Sequence, residues 1–303
     1  MSMDANRLTS DHFAVMLGFE PQNPVDSSQI RLPIRFVTGQ EIERNGRVSA
    51  FASDVTEAQQ DRVWSQFCAH YLPATIAKFL ELPPSTEQLH PSERSLLAEY
   101  PVNNAYLEIL YQIQHLPYLY KYLRSSKDIA QPGKRLPQIL AERIAERVVR
   151  WDAALKNSRD LDMQDFYLSA AGCSLQLLNT LCVQLIRTPD RATIIDAQTQ
   201  QVLLPVLTQW AARYRGRELL GDVSARMVAW LSGSSQFNRA ANRVRRATKN
   251  WDTCGLPACS KKEELKACVR CQTVRYCSVE HQKQDWNGAT GSRHKLCCFQ
   301  TEY

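Results

Sequence analysis

The sequence predicts a mostly α-helical protein, an irregular multi-helix domain followed by a small cysteine-rich module. Three observations lead there. Apolar residues recur at helical spacing through the first 250 residues, proline and glycine cut those runs into short pieces, and the last fifty residues hold seven of the ten cysteines and two of the six histidines. A length of 303 residues with 44% apolar composition is enough to bury one large or two small helical cores.

Taken in chain order, residues 1–250 form the helical domain and residues 251–303 the cysteine-rich module. Phe19 to Ala50 reads as irregular, with one extended piece around Ile30 to Val37. Helical stripes then follow. Tyr106, Ile109, Leu110 and Ile113 share one face; Leu140, Ile144, Val148, Trp151 and Leu155 share another; Leu220, Val223, Met227, Trp230 and Leu231 form a third. Each stripe needs a neighbour to bury it. Pro73, Pro83-Pro84, Pro101, Pro117, Pro132-Gly133, Pro189 and Gly233 interrupt or bound the periodic runs, which gives about ten short helices. No internal repeat period is visible, so an irregular bundle and an armadillo-like stack both remain open.

Phe166 to Ile186 carries no formal charge over 21 residues, a length that spans a bilayer. Ser169, Ser174, Gln176, Asn179, Thr180 and Gln184 interrupt it, and a buried central helix is the expected role. No membrane association is expected. Residues 236–250 form a basic helical linker, with Arg239, Arg243, Arg245, Arg246 and Lys249 and no acidic residue between. It reads as a solvated face joining the domains; an import signal or a nucleic-acid contact is the competing reading.

Catalytic patterns are missing from the sequence. His12, His70, His90 and His115 stand apart from one another, and Cys68, Cys173 and Cys182 sit singly in apolar helical patterns. All seven read as structural. No phosphate-cradling glycine loop, nucleophile elbow or paired metal-binding helix motif occurs. The expectation is a protein that is not an enzyme.

The C-terminal cluster runs Cys254-x4-Cys259-x8-Cys268-x2-Cys271-x5-Cys277-x3-His281-x12-His294-x3-Cys298. These are four close pairs, and eight donors suffice for two tetrahedral zinc sites. Disulfides suit an oxidising compartment, whereas Met1 to Asn6 lead into no apolar signal core. Zinc is therefore expected, two ions per chain, in a protein of the nucleus and/or cytoplasm. The segment has few large apolar side chains, among them Leu256, Leu265, Val274, Tyr276, Val279 and Trp286. A module so small needs a staple, which structural zinc provides. Four protein ligands per ion leave no open position for water or substrate. Two dications and six thiolates change the formal net charge from +6 to +4, too modest an excess to make nucleic acid the expected partner.

The run Cys268-Val-Arg-Cys271-Gln-Thr-Val-Arg-Tyr276-Cys277-Ser278-Val-Glu-His281-Gln282-Lys-Gln-Asp285-Trp286, with His294-Lys295 and Cys298 beyond it, resembles a MYND-type zinc finger. A RING-type brace is similar in logic but places its histidine differently. The MYND resemblance implies an interleaved brace in which Cys254, Cys259, Cys277 and His281 hold one ion and Cys268, Cys271, His294 and Cys298 the other. Three departures from the family pattern stand out. The first pair is separated by four residues, with Pro257 at the tip of the longer knuckle; His281 stands where cysteine is usual; and Asn287 to Ser292 insert a polar loop that is expected to be mobile. Cys298 is preferred over its neighbour Cys297 for its three-residue gap from His294.

The resemblance also implies a function. Such fingers bind proteins, often through short proline-containing peptides, and Gln282 and Trp286 match peptide-contacting positions, while Val269 replaces a small polar residue at a third. Packing against the chain's own apolar residues is the competing reading of Trp286. A protein-interaction adaptor follows, in transcriptional regulation or ubiquitin-ligase assembly. The alternatives are a lysine methyltransferase of the kind that carries this finger inside a SET domain, and a nucleic-acid-associated regulator. The terminal position of the finger and the lack of a strand-rich pattern weigh against the methyltransferase.

Overall fold

A computed structural model describes residues 8–26, 47–48, 51, 53–81, 104–124, 132–185, 194–216, 218–234, 237, 253–288, 293–301 and 303. The extended piece expected at 30–37, His90, the prolines at 83, 84, 101 and 189, the basic segment 239–249 and positions 289–292 of the polar loop lie outside them. Among the described residues there are ten helices and one two-stranded sheet. They run α1 (Ser10–Met16), α2 (Glu57–Leu80), α3 (Ala105–Ile113), α4 (Pro117–Arg124), α5 (Pro132–Asn157), α6 (Leu161–Leu185), α7 (Ala197–Arg213) and α8 (Leu219–Leu231). Then come β1 (Lys266–Ala267), β2 (Arg275–Tyr276), α9 (Val279–Trp286) and α10 (Arg293–Cys297). The protein is mostly helical, as its periodicity predicts.

The chain divides into two compact units, one made of Met1–Lys78, Gln112–Ala130 and Arg246–Tyr303, the other of Phe79–Tyr111 and Gln131–Arg245. The second unit is a bundle. Helix α5 packs on α6 and α7, and α8 closes the ring by packing on both of those. The stripe Leu140, Ile144, Val148 and Trp151 is fully buried, with Leu175, Leu178 and Leu181 of α6, Leu203, Leu207 and Trp210 of α7, and Leu220, Val223 and Met227 of α8.

Polar groups pin this bundle at its edges. The indole Nε1 of Trp210 donates to Asp152 Oδ1 at 3.0 Å, and Arg143 donates to the carbonyls of Phe79, Leu80 and Glu81, capping orphan acceptors at a helix end. Asp196 caps α7 by accepting from the Thr199 amide at 2.8 Å. Helix α8 ends in a Schellman motif. Gly233 N–H donates to Trp230 and Ser234 N–H to Ala229, and the φ of +68° at Gly233 is the left-handed conformation the motif requires. At the other end of α8, a Cβ on Gly221 would lie 2.2 Å from the Tyr214 carbonyl oxygen; only glycine allows that approach.

Helix α6 is long and apolar enough to cross a membrane by length and composition, and 61% of its most apolar window is buried inside the protein. Two of its interrupting polar groups are satisfied locally, Ser174 donating to the Ala170 carbonyl and Thr180 to that of Gln176. This matches the expected buried helix at 166–186.

The prolines divide into two kinds. Pro117 and Pro132 open helices, where the missing N–H would have had no partner. Pro73 lies inside α2, and Pro137 and Pro205 inside α5 and α7. The expectation that Pro73 breaks its helix is therefore corrected. An interior proline costs about 3 kcal/mol, but Phe67, Leu72, Ile76 and Phe79 on the flanking turns are buried. At roughly 1.5 to 3 kcal/mol for each such side chain, the packing of a continuous helix wins.

In the first unit, α1 and α2 meet through aromatic rings. Phe13 lies 4.5 Å from Trp64 and 5.0 Å from Phe51, and Trp64 continues edge-to-face to Phe67. Asp11 is buried and accepts from the Tyr71 hydroxyl at 2.6 Å, the Gln22 amide and the Asn23 side chain. Burial opposes its ionisation, yet these bonds outweigh it and hold the carboxyl below its ordinary range. Two of the isolated histidines take structural places. His12 accepts the Thr9 amide at the start of α1, and His115 Nε2 sits 2.9 Å from the buried Asp61. Cys68 and Cys182 are fully buried; Cys173 is half-buried beside Tyr111, whose hydroxyl is pushed up to about 12, chiefly by its own burial.

Candidate metal centre

Local structure brings the close pairs of donors into place. Strands β1 and β2 pair antiparallel, Lys266 with Tyr276 and Ala267 with Arg275. Cys268 and Cys271 occupy the turn between them, closed by Cys268 N–H on the Val274 carbonyl and Gln272 N–H on that of Cys268. Gln272 takes a φ of 56° to complete this knuckle. Cys277 stands between β2 and α9, and Ser278 caps α9 by accepting from the His281 amide at 3.2 Å. The cap starts the helix where His281 falls one turn beyond Cys277. In the first knuckle Cys259 N–H bonds the Leu256 carbonyl, and Pro257 is exposed.

The four pairs interleave. Donor atoms of Cys254, Cys259, Cys277 and His281 all lie within 4.8 Å of one another, and so do those of Cys268, Cys271, His294 and Cys298. These are the two sets that the resemblance implied. Cys297 lies outside both, half-buried. Tetrahedral zinc with Zn–S of about 2.3 Å and Zn–N of about 2.05 Å sets sulfurs about 3.8 Å apart and sulfur about 3.5 Å from nitrogen. Here Cys259 and Cys277 sulfurs are 3.8 Å apart, as are those of Cys268 and Cys298. Cys254 Sγ is 3.6 Å and Cys277 Sγ 3.2 Å from His281 Nδ1, and Cys271 Sγ is 3.4 Å from His294 Nε2. A disulfide requires about 2.05 Å. All ten cysteines are free, and the donor chemistry and spacing fit zinc at both clusters.

The surroundings of the clusters differ. In the first, only Cys254 is buried and the other three donors are half-exposed; in the second all four are buried. His294 offers Nε2 to the second cluster, while its Nδ1 lies 2.7 Å from the Tyr276 hydroxyl, which in turn donates to Asp285 Oδ2 at 2.6 Å. This relay fixes the ring's tautomer and orientation. Thr273 adds hydrogen bonds from its amide and hydroxyl to Cys271 Sγ. Hydrogen bonds from Cys271 and Cys298 hold the Cys268 thiol well below the usual thiol range, while the same cluster of thiols pushes that of Cys298 up. Sequence reading singled out neither Tyr276 nor Asp285 as a supporting group; the signal was there, in a tyrosine immediately before a ligand and an acidic residue one turn beyond His281. Tyr276→Phe removes the relay while keeping the ring, and zinc affinity of the second cluster should fall about 10- to 100-fold in a chelator competition.

A small core supports the first cluster: Cys254, Leu256, Val274 and Tyr276, with Leu265 packed against it. Gly255 belongs to this core, since a Cβ there would lie 2.4 Å from Val274 Cγ1. On the outer side, Gln282 and Trp286 of α9 are half-exposed. Trp286 packs edge-to-face on His294, with ring centroids 5.5 Å apart, so part of the ring does serve the protein's own interior. Val269 projects almost entirely into solvent, 92% exposed.

Residues 253–298 match the family model described as the MYND finger. That segment is a MYND finger. Similar sequences are found in Egl nine homolog 1 of Homo sapiens, 46% identical over 44 residues, and in the protein of the same description from Mus musculus, 48% identical over 40 residues. The matched stretch is 14% of this chain in the first case and 13% in the second. It covers 9% of the length of each relative, so the likeness belongs to the MYND finger alone. No solved structure matches.

Proposed function

We propose that this protein is a non-enzymatic adaptor that holds two structural zinc ions and presents the outer face of α9 to protein partners. A MYND finger is a zinc-binding protein-interaction module; the adaptor role and the two ions are the reading built on it. One observation carries it: all eight donors close on themselves in two four-donor sets. Zinc so enclosed polarises no substrate, and what remains for function is the surface that the metal orders. Gln282 and the exposed edge of Trp286 lie side by side on that surface, one helical turn apart. A flat aromatic edge next to an amide suits a proline-containing peptide, whose rings pack on the indole while its carbonyls accept from glutamine. Transcriptional regulation or ubiquitin-ligase assembly in the nucleus and/or cytoplasm is the proposed setting.

Trp286→Ala tests this directly. Binding of immobilised proline-rich peptides should weaken by about tenfold or more, in keeping with a loss of 2 kcal/mol or so at an aromatic anchor, while zinc content stays at two per chain. Capture that is unchanged would return Trp286 wholly to internal packing with His294.

A further inference from the structure

The second cluster is tied to the helical part of its own unit by the residues that follow Cys298. The hydroxyl of Tyr118, on α4 and fully buried, donates to the Cys297 carbonyl at 2.6 Å and accepts from the Phe299 amide at 2.9 Å. One turn on, the buried Lys121 donates to the Thr301 hydroxyl and to the main-chain oxygen of Tyr303. The Tyr303 ring stands edge-to-face on Tyr122, and its hydroxyl donates to the Cys68 carbonyl of α2 at 3.0 Å. Thr301 reaches back to the cluster, donating to the Cys271 carbonyl at 3.3 Å. Residues 297–301 and Tyr303 therefore act as a strap, anchored at one end to a donor pair and at the other to α2 and α4.

We propose that the two zinc sites are unequal by construction: the Cys254, Cys259, Cys277 and His281 site exchanges its ion freely, whereas the Cys268, Cys271, His294 and Cys298 site is locked by this strap. Zinc leaves a protein through partly dissociated states in which one donor swings away and water or a chelator takes its place. At the first site three donors are already half-exposed, and one of them, His281, lies outside the small core there, so it can swing outward without disturbing that core. At the second, Cys298 cannot leave unless the strap loosens, and loosening it breaks the hydrogen bonds that buried Tyr118 makes to Cys297 and Phe299 and that buried Lys121 makes to Thr301 and Tyr303. Losing hydrogen bonds from buried groups is costly. His294 is held as well, by Tyr276 and Asp285. The second ion is thus tied to the helical part of its own unit as much as to the finger, and its loss frees α4. This inference rests on zinc occupying both clusters, and it is independent of what α9 binds.

The test uses the full chain loaded with zinc and challenged with excess EDTA. Release is followed with a chromogenic zinc indicator, and hydrogen exchange in α4 by mass spectrometry. Two phases of one zinc each are expected, separated by about tenfold or more in rate, the scale on which supporting shells change metal binding. Exchange in α4 should rise only with the slow phase. Cys259→Ser should abolish the fast phase and leave the slow one. Tyr118→Phe and Lys121→Met should each speed the slow phase about tenfold and leave the fast one unchanged. Should Lys121→Met fail to fold, Tyr118→Phe retains the ring and decides. A single release phase, or a slow phase indifferent to Tyr118→Phe, overturns the proposal. Less than two zinc ions in the starting protein would instead overturn the metal assignment beneath it.

Discussion

Removing both zinc ions is expected to unfold residues 253–301 while the helices of the second unit stay folded. The finger's own buried apolar residues are few: Leu256, Val274 and Tyr276 apart from the metal donors. At roughly 1.5 to 3 kcal/mol each they are far from balancing the ordering of nearly fifty residues, each costing about 1 to 2 kcal/mol in backbone entropy. Structural zinc contributes on the order of 10 to 16 kcal/mol per ion, more than those three side chains together. Its withdrawal also leaves six thiols crowded within two small pockets. Exhaustive chelation followed by hydrogen exchange should show loss of protection from Cys254 to Cys298, with α5, α6, α7 and α8 unchanged. Restored zinc should restore protection. Persistent protection in the metal-free chain would mean that the strap and the small core suffice without metal.

The second large effect is expected in the bundle. Trp151 is fully buried on α5, among the largest such side chains in the protein. Trp151→Ala leaves a cavity that its neighbours cannot fill, and a loss of about 3 to 5 kcal/mol is expected. Urea denaturation followed by far-ultraviolet circular dichroism measures it. Zinc content should remain at two per chain, because no donor and no strap residue belongs to the unit that holds Trp151. Loss of zinc on this substitution would show that the units do not fold independently.

Much of the metal centre was legible in the sequence because its information is local. Two residues between Cys268 and Cys271 already imply a knuckle, and Cys277 with His281 implies a strand-to-helix junction, because a chain has few ways to aim two donors at one ion over so short a distance. Helical stripes were legible for the same reason: the period is a property of neighbouring residues. Pro73 was misread because its local cost is real and only the burial of Phe67, Leu72, Ile76 and Phe79 overrides it, which no single turn reveals. Cys297 illustrates the opposite case. Spacing from His294 set it aside, and the structure uses its carbonyl, on Tyr118, in place of its thiol.

By itself, the sequence determined the helical class, the eight donors and, through family resemblance, their division into two sets. The tertiary structure decided what surrounds those donors. Tyr276 and Asp285 come to support His294, and Tyr118 and Lys121 come to hold residues about 180 positions away. The physical reason is separation along the chain. Spacing encodes which donors can share an ion, but whether an ion is half-exposed or locked depends on packing between distant segments, and that exists only once the chain has folded.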